Sequence, residues 1–216
     1  METRTHTYAG TDVTVTWSKT RCIHFAACVR GLPDVFDPDA RPWIQPEEAP
    51  ADAVAEVVAR CPTGALHARL ADGTDPEPAP TEAVVTVDAN GPLFLRGSVT
   101  VQDAEGEVLL RDTRVALCRC GLSQHKPLCD NSHVDAFTDD GTLPADDAPT
   151  IEAAEGAELV VTCRPNGSIL VVGPFTMTGA DGQTVAKGKA GLCRCGHSGR
   201  KPYCDGSHRD AGFVAP

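Results

Sequence analysis

The chain has 216 residues, 41% hydrophobic and 23% charged, which suits a folded protein of one large or two to three small domains and excludes a wholly disordered chain. The formal net charge of −11 disfavours nucleic acid as a partner and favours basic proteins. The longest near-apolar run, residues 169–175, is too short to span a membrane, and segment 1–10 lacks the apolar core of a secretory signal, so we expect a cytoplasmic protein without a membrane anchor.

The first third, residues 1–72, is predicted to be a small α+β domain. Val13–Trp17 alternates like a strand, and Pro42–Gln45 is a candidate for another. A helix with one apolar face is predicted to begin after Pro50. Cys61-Pro62 ends it, because proline cannot continue the hydrogen-bond ladder.

The rest of the chain is a duplication. Cys-Arg-Cys-Gly at 118–121 returns at 193–196, 75 residues later. An Asn-Gly pair upstream also recurs, flanked in both copies by short apolar segments, and this pattern is typical of a β-hairpin. The sequence therefore predicts two mainly β repeats, at 82–137 and 157–216. Acidic linkers are predicted at 71–81 and 134–158.

Ten cysteines in a chain without an export signal favour metal binding over disulfides. Each repeat carries the spacing C-x-C-x8-C-x3-H, which supplies three thiolates and one imidazole. Such a donor set suits zinc or an iron–sulfur cluster. The candidate ligands are Cys118, Cys120, Cys129 and His133 in the first repeat, and Cys193, Cys195, Cys204 and His208 in the second.

The neighbours of these ligands also recur, as a serine, a Lys-Pro pair, an aspartate and a second serine. The two loops, CRCGLSQHKPLCDNSH and CRCGHSGRKPYCDGSH, closely resemble the CDGSH iron–sulfur domain family of mitoNEET-like proteins. The resemblance implies a [2Fe–2S] cluster on each Cys3His set, with histidine on the more exposed iron. It also implies a monomeric pseudo-dimer, because the family consists of homodimers that exchange strands. The first loop departs from the family name at Asn131, where the second keeps Gly206.

We assign hypothetical roles to the repeated aspartate and to the first repeated serine of each loop. Asp130 and Asp205 are expected to accept hydrogen bonds from the backbone that leads to the histidine. Ser123 and Ser198 have two interpretations: they donate hydrogen bonds to cluster sulfur and raise its potential, or they serve ordinary turn chemistry.

Three further cysteines, Cys22, Cys28 and Cys61, follow the pattern C-x5-C…C-P. This pattern resembles single-cluster bacterial ferredoxins, particularly the divergent mono-cluster domain often fused to CDGSH motifs. Phe25 stands where such ferredoxins carry another cysteine. Three thiolates suit a [3Fe–4S] cluster, whereas His24 as a fourth ligand would allow [4Fe–4S], and three buried structural cysteines are the alternative. Cys163 is left over and is expected to be a small buried apolar residue.

Three functions fit these features. The first is electron transfer with a basic reductase or oxidase, which ranks first because mixed cluster types serve a relay. The second is a cluster donor to an apo-acceptor, or a redox or pH sensor, and the third is a zinc-stapled structural module. No nucleotide loop, nucleophile motif or paired-acid signature is found, so we do not expect an enzyme.

Overall fold

The computed structural model describes residues 5–78, 80–147, 149 and 158–216. The chain divides into two compact units, Met1–Pro78 and Ala79–Pro216. The part of the chain that the structure describes is mainly β, and its short helices lie in the first unit. In the described residues, no helix is both long and apolar enough to cross a bilayer.

The first unit is a three-stranded antiparallel sheet covered by a helix. Its elements are β1 (Thr5–Ala9), β2 (Val13–Ser18), α1 (Ala27–Gly31), α2 (Ala51–Ala59) and β3 (Leu66–Leu70), and the sheet order is β1-β2-β3. Helix α2 begins after Pro50 and buries its apolar face, as the sequence predicted. The strand at Val13 is confirmed, whereas Pro42–Gln45 forms only an isolated bridge between Ile44 and Phe36.

The second unit is one six-stranded sheet to which both repeats contribute. The first repeat forms β4 (Val84–Val87), β5 (Leu93–Gln102) and β6 (Val108–Leu117), and the second forms β7 (Leu159–Cys163), β8 (Ile169–Thr178) and β9 (Thr184–Leu192). Strands β4 and β5 form an antiparallel hairpin, as do β7 and β8. Their turns carry Asn90 and Asn166 at positive φ, 55° and 52°, as the Asn-Gly pairs predicted.

The repeats are joined by reciprocal strand pairing. Strand β4 runs parallel to β8 of the other repeat, and β7 runs parallel to β5. This is the exchange that the family resemblance implied, made here within one chain. A single apolar core results, which includes Val85, Leu95, Val161 and Val171.

Two repeated glycines bend the central strands where the repeats meet. Gly97 in β5 and Gly173 in β8 have φ of 150° and 126°, and the register shifts beside each. A Cβ on Gly173 would lie 2.4 Å from the carbonyl oxygen of Glu158. Glycine at these positions therefore allows the close strand approach on which the shared sheet depends.

Candidate metal centres

The two ligand loops follow β6 and β9 and close back on them. In the first loop, Cys118 N–H donates to Pro127 O (2.9 Å), and Cys129 N–H donates to Ala116 O (2.9 Å). In the second, Cys193 N–H donates to Pro202 O (2.8 Å) and Cys204 N–H to Gly191 O (2.9 Å). These backbone bonds bring the third cysteine of each motif beside the first two.

Aspartate braces each loop twice, and this confirms its predicted role. Asp130 Oδ1 accepts hydrogen bonds from the N–H and hydroxyl of Ser132, and its Oδ2 accepts one from Gln124 N–H at 2.7 Å. Asp205 makes the same set with Ser207 and Gly199. Because the donors to Oδ1 precede the histidine and the donor to Oδ2 lies near the loop start, one carboxylate fixes both ends.

The serine hydroxyls have the same hydrogen-bond geometry in both repeats, and it contradicts a direct bond to sulfur. Ser123 Oγ donates to Leu128 O (2.7 Å) and accepts from His125 N–H (3.0 Å). Ser198 Oγ donates to Tyr203 O (2.6 Å) and accepts from Arg200 N–H. A hydroxyl has one proton to donate, so the interpretation as turn chemistry is the correct one.

The ligand side chains approach one another in pairs. In the first loop, Cys118 Sγ lies 3.5 Å from Cys120 Sγ, and Cys129 Sγ lies 3.3 Å from His133 Nδ1. The corresponding separations in the second loop are 3.8 Å for Cys193 and Cys195 and 3.5 Å for Cys204 and His208. Backbone N–H groups also point at sulfur, among them Leu122 N–H to Cys120 Sγ and His197 N–H to Cys195 Sγ, both at 3.4 Å.

The donors of each loop come in two pairs, as a two-iron cluster would require. Two thiolates on one tetrahedral metal, with bonds of about 2.3 Å, lie about 3.8 Å apart, near the separations within each cysteine pair. Across the described ranges, no three His, Cys, Asp or Glu side chains converge as they would around a single ion. Each loop thus offers one Cys–Cys pair and one Cys–His pair, and a [2Fe–2S] cluster needs one pair for each iron.

Burial and a neighbouring thiol shift the pKa values of these thiols in opposite directions. A hydrogen bond from Cys120 lowers the pKa of Cys118 to about 6, whereas burial raises the pKa of Cys129 to about 12. Burial also lowers the pKa of His133, against the negative charge of Asp88. Metal binding must therefore displace thiol protons in a buried setting, so loading is linked to proton release.

A buried arginine stands between the first two cysteines of each motif, and the sequence analysis gave it no role. Arg119 donates to the carbonyl oxygens of Asp88 and Gly91, and its guanidinium pairs with the carboxylate of Asp139. Arg194 donates to the backbone oxygens of Arg164 and Pro216. The signal that could have revealed this role is the duplication of Cys-Arg-Cys, because an arginine kept between the same two cysteines in both repeats indicates a shared structural role.

The acidic segment after the first loop is more than a solvated connector. Asp139 pairs with Arg119, and Asp147 pairs with Lys187 and accepts a hydrogen bond from the Tyr203 hydroxyl. Part of the predicted connector, residues 148 and 150–157, lies outside the described residues.

The two loops meet at their second cysteines. Cys120 and Cys195 form an antiparallel backbone bridge. Gly121 and Gly196 flank it with φ of 82° and 84°, and a Cβ on either would lie 2.5 Å from the carbonyl oxygen of the opposite cysteine. The glycine after each Cys-Arg-Cys therefore permits the contact between the two candidate sites.

The N-terminal cysteines are more exposed than most of those in the repeats. All three are half-buried, and burial raises the pKa of Cys28, with added contributions from the charges of Cys61 and Cys22. Cys22 and Cys28 share the wall of a cavity of about 390 Å³ with His24, Trp17 and Trp43.

The short loop between the first two cysteines is unusual. Its residues His24 and Ala26 have φ of 56° and 62°, a left-handed conformation that is rare outside glycine and is found most often where the surroundings impose it. The structure thus places His24 on the wall of the cavity that two of the three cysteines line. Cys163 is 2% exposed within the apolar core of the second unit, as predicted.

Comparison with known proteins gives matches over both parts of the chain. Residues 8–71 match the family model described as a divergent 4Fe-4S mono-cluster. Residues 90–134 and 166–209 both match the iron-binding zinc finger of CDGSH type. The uncharacterized protein YjdI of Escherichia coli strain K12 is 37% identical over 62 residues, which span 29% of this chain and 82% of the relative. YjdI of strain O157:H7 matches to the same extent.

Proposed function

Because the first unit belongs to the divergent 4Fe-4S mono-cluster family and the two repeats belong to the CDGSH iron-binding family, we propose that the protein is a three-cluster electron carrier. Each repeat holds a [2Fe–2S] cluster on its Cys3His set. The ferredoxin-like first unit holds the third cluster on Cys22, Cys28 and Cys61. It is [3Fe–4S] on thiolates alone, or [4Fe–4S] with His24 as fourth ligand.

The observation that carries this proposal is the bracing of the repeat ligands. Five of their six cysteines are no more than 8% exposed, and backbone N–H groups point at sulfur in both loops. Hydrogen bonds to sulfur stabilise the added electron and raise the potential, and exclusion of water reduces the solvent reorganisation that accompanies electron transfer. A rigid, water-poor site changes little on reduction, which is what a carrier requires.

Cluster donation is the second candidate, and the histidines favour it. His133 and His208 are half-buried, and each turns Nδ1 toward a cysteine, which leaves Nε2 as the outer ring nitrogen. Acid competes with iron for such a ligand. A donor would release its clusters to an apo-acceptor, whereas a carrier retains them through the redox cycle.

One cycle of reduction and reoxidation distinguishes the electron carrier from the cluster donor. The loaded protein is reduced with dithionite, reoxidised in air-free ferricyanide and passed over a desalting column before iron is counted. We expect at least nine-tenths of the iron to remain bound. If the repeat clusters are lost on reduction, and the His133→Cys and His208→Cys variants prevent that loss, the protein is a cluster donor and the electron-carrier proposal is wrong.

The partner of the carrier is proposed to be a basic reductase or oxidase. The formal net charge of −11 would steer such a protein toward the chain. We therefore expect the rate of electron exchange between the protein and its basic partner to fall as salt is added. The setting is proposed to be the cytoplasm, since ten cysteines that are all free suit a reducing compartment.

A further inference from the structure

The connector between the repeats contacts the second ligand loop. Asp147 of the connector accepts a hydrogen bond from the Tyr203 hydroxyl and pairs with the ammonium of Lys187 in β9. The side chains of Lys187 and Asp147 are only 6% and 12% exposed. Because Tyr203 directly precedes Cys204, the third cysteine of the loop, this contact lies next to a predicted ligand.

The connector is held in place on the way to Asp147. The carbonyl oxygen of Gly141 accepts a hydrogen bond from Ala180 N–H (2.9 Å), and Leu143 is 8% exposed in the apolar core of the second unit. Asp147 N–H then donates to Pro144 O (3.0 Å) and closes a turn. The carboxylate of Asp147 is therefore presented to the second loop by a segment that is itself packed and hydrogen-bonded.

The two repeats differ at both residues that Asp147 contacts. The counterpart of Tyr203 is Leu128, which also precedes the third cysteine of its loop but is 3% exposed in the apolar core and has no hydroxyl. The counterpart of Lys187 is Asp112, since each stands six residues before the first cysteine of its loop. A carboxylate placed as Asp147 is would find neither partner in the first repeat.

At this position, then, the two loops are anchored by different forces. Leu128 is anchored by apolar burial, whereas Tyr203 is half-buried and is anchored by a polar contact with a distant segment. Loss of the Asp147 carboxylate takes a partner from the Tyr203 hydroxyl and from a buried ammonium, which is costly. We expect the second loop to open locally more often as a result, and each opening exposes Cys204.

We propose that Asp147 is a positioning residue of the second metal centre: it holds Cys204 in place through Tyr203, so retention of the second cluster depends on the connector and retention of the first does not. This inference rests on the proposed [2Fe–2S] clusters. It gives the connector control over one site, because lifting it from the second loop would release the second cluster and leave the first bound.

The test measures how fast each repeat cluster is lost from the full chain in excess EDTA, followed by bleaching of its visible absorption. Cys61→Ser is present throughout, so that only the repeat clusters are counted. Cys129→Ser then leaves the second cluster for measurement, and Cys204→Ser leaves the first.

Tyr203→Phe, which removes only the hydroxyl, and Asp147→Asn should each speed the loss of the second cluster by about threefold to tenfold. Neither should change the loss of the first cluster. Together they should speed the loss by less than the product of their separate effects, since they remove one shared contact. Asp147→Asn should also alter the electron paramagnetic resonance signal of the reduced second cluster, because Cys204 shifts, and leave that of the first unchanged.

The matched control is Asp146→Asn. The neighbouring carboxylate pairs with Arg200 of the same loop, but both side chains are exposed, at 75% and 63%. The control should leave both rates unchanged, because an exposed ion pair contributes little.

The positioning role would be overturned by any of three results. One is loss of the second cluster from Tyr203→Phe and Asp147→Asn no faster than from the control, and another is equal acceleration at both sites. The third is an unaltered resonance signal from the second cluster of Asp147→Asn. Absence of [2Fe–2S] signals from the loaded protein would instead overturn the proposed function itself.

Discussion

The repeat sites and the N-terminal site hold cysteines in different ways. In each repeat the loop is fixed by backbone bonds, an aspartate, a serine and a buried arginine, and these braces recur in the second copy. The N-terminal cysteines are half-buried, and the loop between the first two contains left-handed His24 and Ala26. The contrast indicates that the ligand loops of the repeats are held in place before a cluster binds. In the first unit, we expect the loop between Cys22 and Cys28 to become ordered around the cluster.

The strongest way to separate the two regions is to remove one N-terminal ligand. Cys61→Ser should cost the chain three or four irons, because a cluster with two remaining thiolates is not retained. The repeat clusters should keep their spectra, since they lie in the other compact unit. Iron analysis with visible spectroscopy measures the loss.

The control is Cys163→Ala, which removes a cysteine buried in the apolar core. It should retain every iron and lower stability only through packing. If Cys61→Ser also bleaches the repeat clusters, the independence of the two regions is wrong.

The frame of the repeats is tested at the glycine beside the cysteine bridge. Gly196→Ala should lower the free energy of unfolding of the second unit by about 2–4 kcal/mol, because a left-handed alanine is strained and its Cβ meets the carbonyl oxygen of Cys120 at 2.5 Å. Thermal and denaturant unfolding measure the change, and cluster loss from both repeats should accelerate.

Gly182→Ala isolates the contact from the backbone strain. Gly182 has φ of 83°, close to the 84° of Gly196, but nothing lies within 4 Å of its Cβ position. Gly182→Ala should lower the free energy of unfolding by about 1–2 kcal/mol. Equal losses in the two variants would show that the bridge contributes nothing.

The smallest effect is expected at the serine of the second loop. Ser198→Ala removes the hydroxyl bond to Tyr203 O and should lower stability by about 1 kcal/mol. The midpoint potential of the site should stay unchanged, since that proton is donated to a carbonyl. A large fall in the midpoint potential without a change in stability would instead support the hypothesis that Ser198 donates a hydrogen bond to cluster sulfur.

Local signals predicted much of this structure. The Asn-Gly pairs located the hairpins, and Pro50 located helix α2. The duplicated motif identified cysteines and histidines that the structure brings close together, and their role as ligands stays a prediction. Cys163, left over from the metal-binding motifs, was predicted to be a core residue, and it is buried, as is Val87 at the equivalent position of the first repeat.

What the sequence did not reveal depends on distant partners. For Ser198 the partner is the carbonyl of Tyr203, only five residues away, but the closing of the loop on itself decides that contact. The role of Arg119 depends on Asp139 and on the turn at Gly91, both far along the chain. Likewise, the bridge between Cys120 and Cys195 arises only when the two repeats share a sheet.

The central claim is that one chain holds three iron–sulfur clusters, and metal analysis tests it most directly. Iron, acid-labile sulfide and zinc are counted in fully loaded protein, and electron paramagnetic resonance is recorded before and after reduction. Two [2Fe–2S] clusters with a [3Fe–4S] cluster give about seven irons per chain, and a [4Fe–4S] form gives about eight. Two zinc ions per chain without sulfide would contradict the account, and four irons or fewer would remove the N-terminal cluster from it.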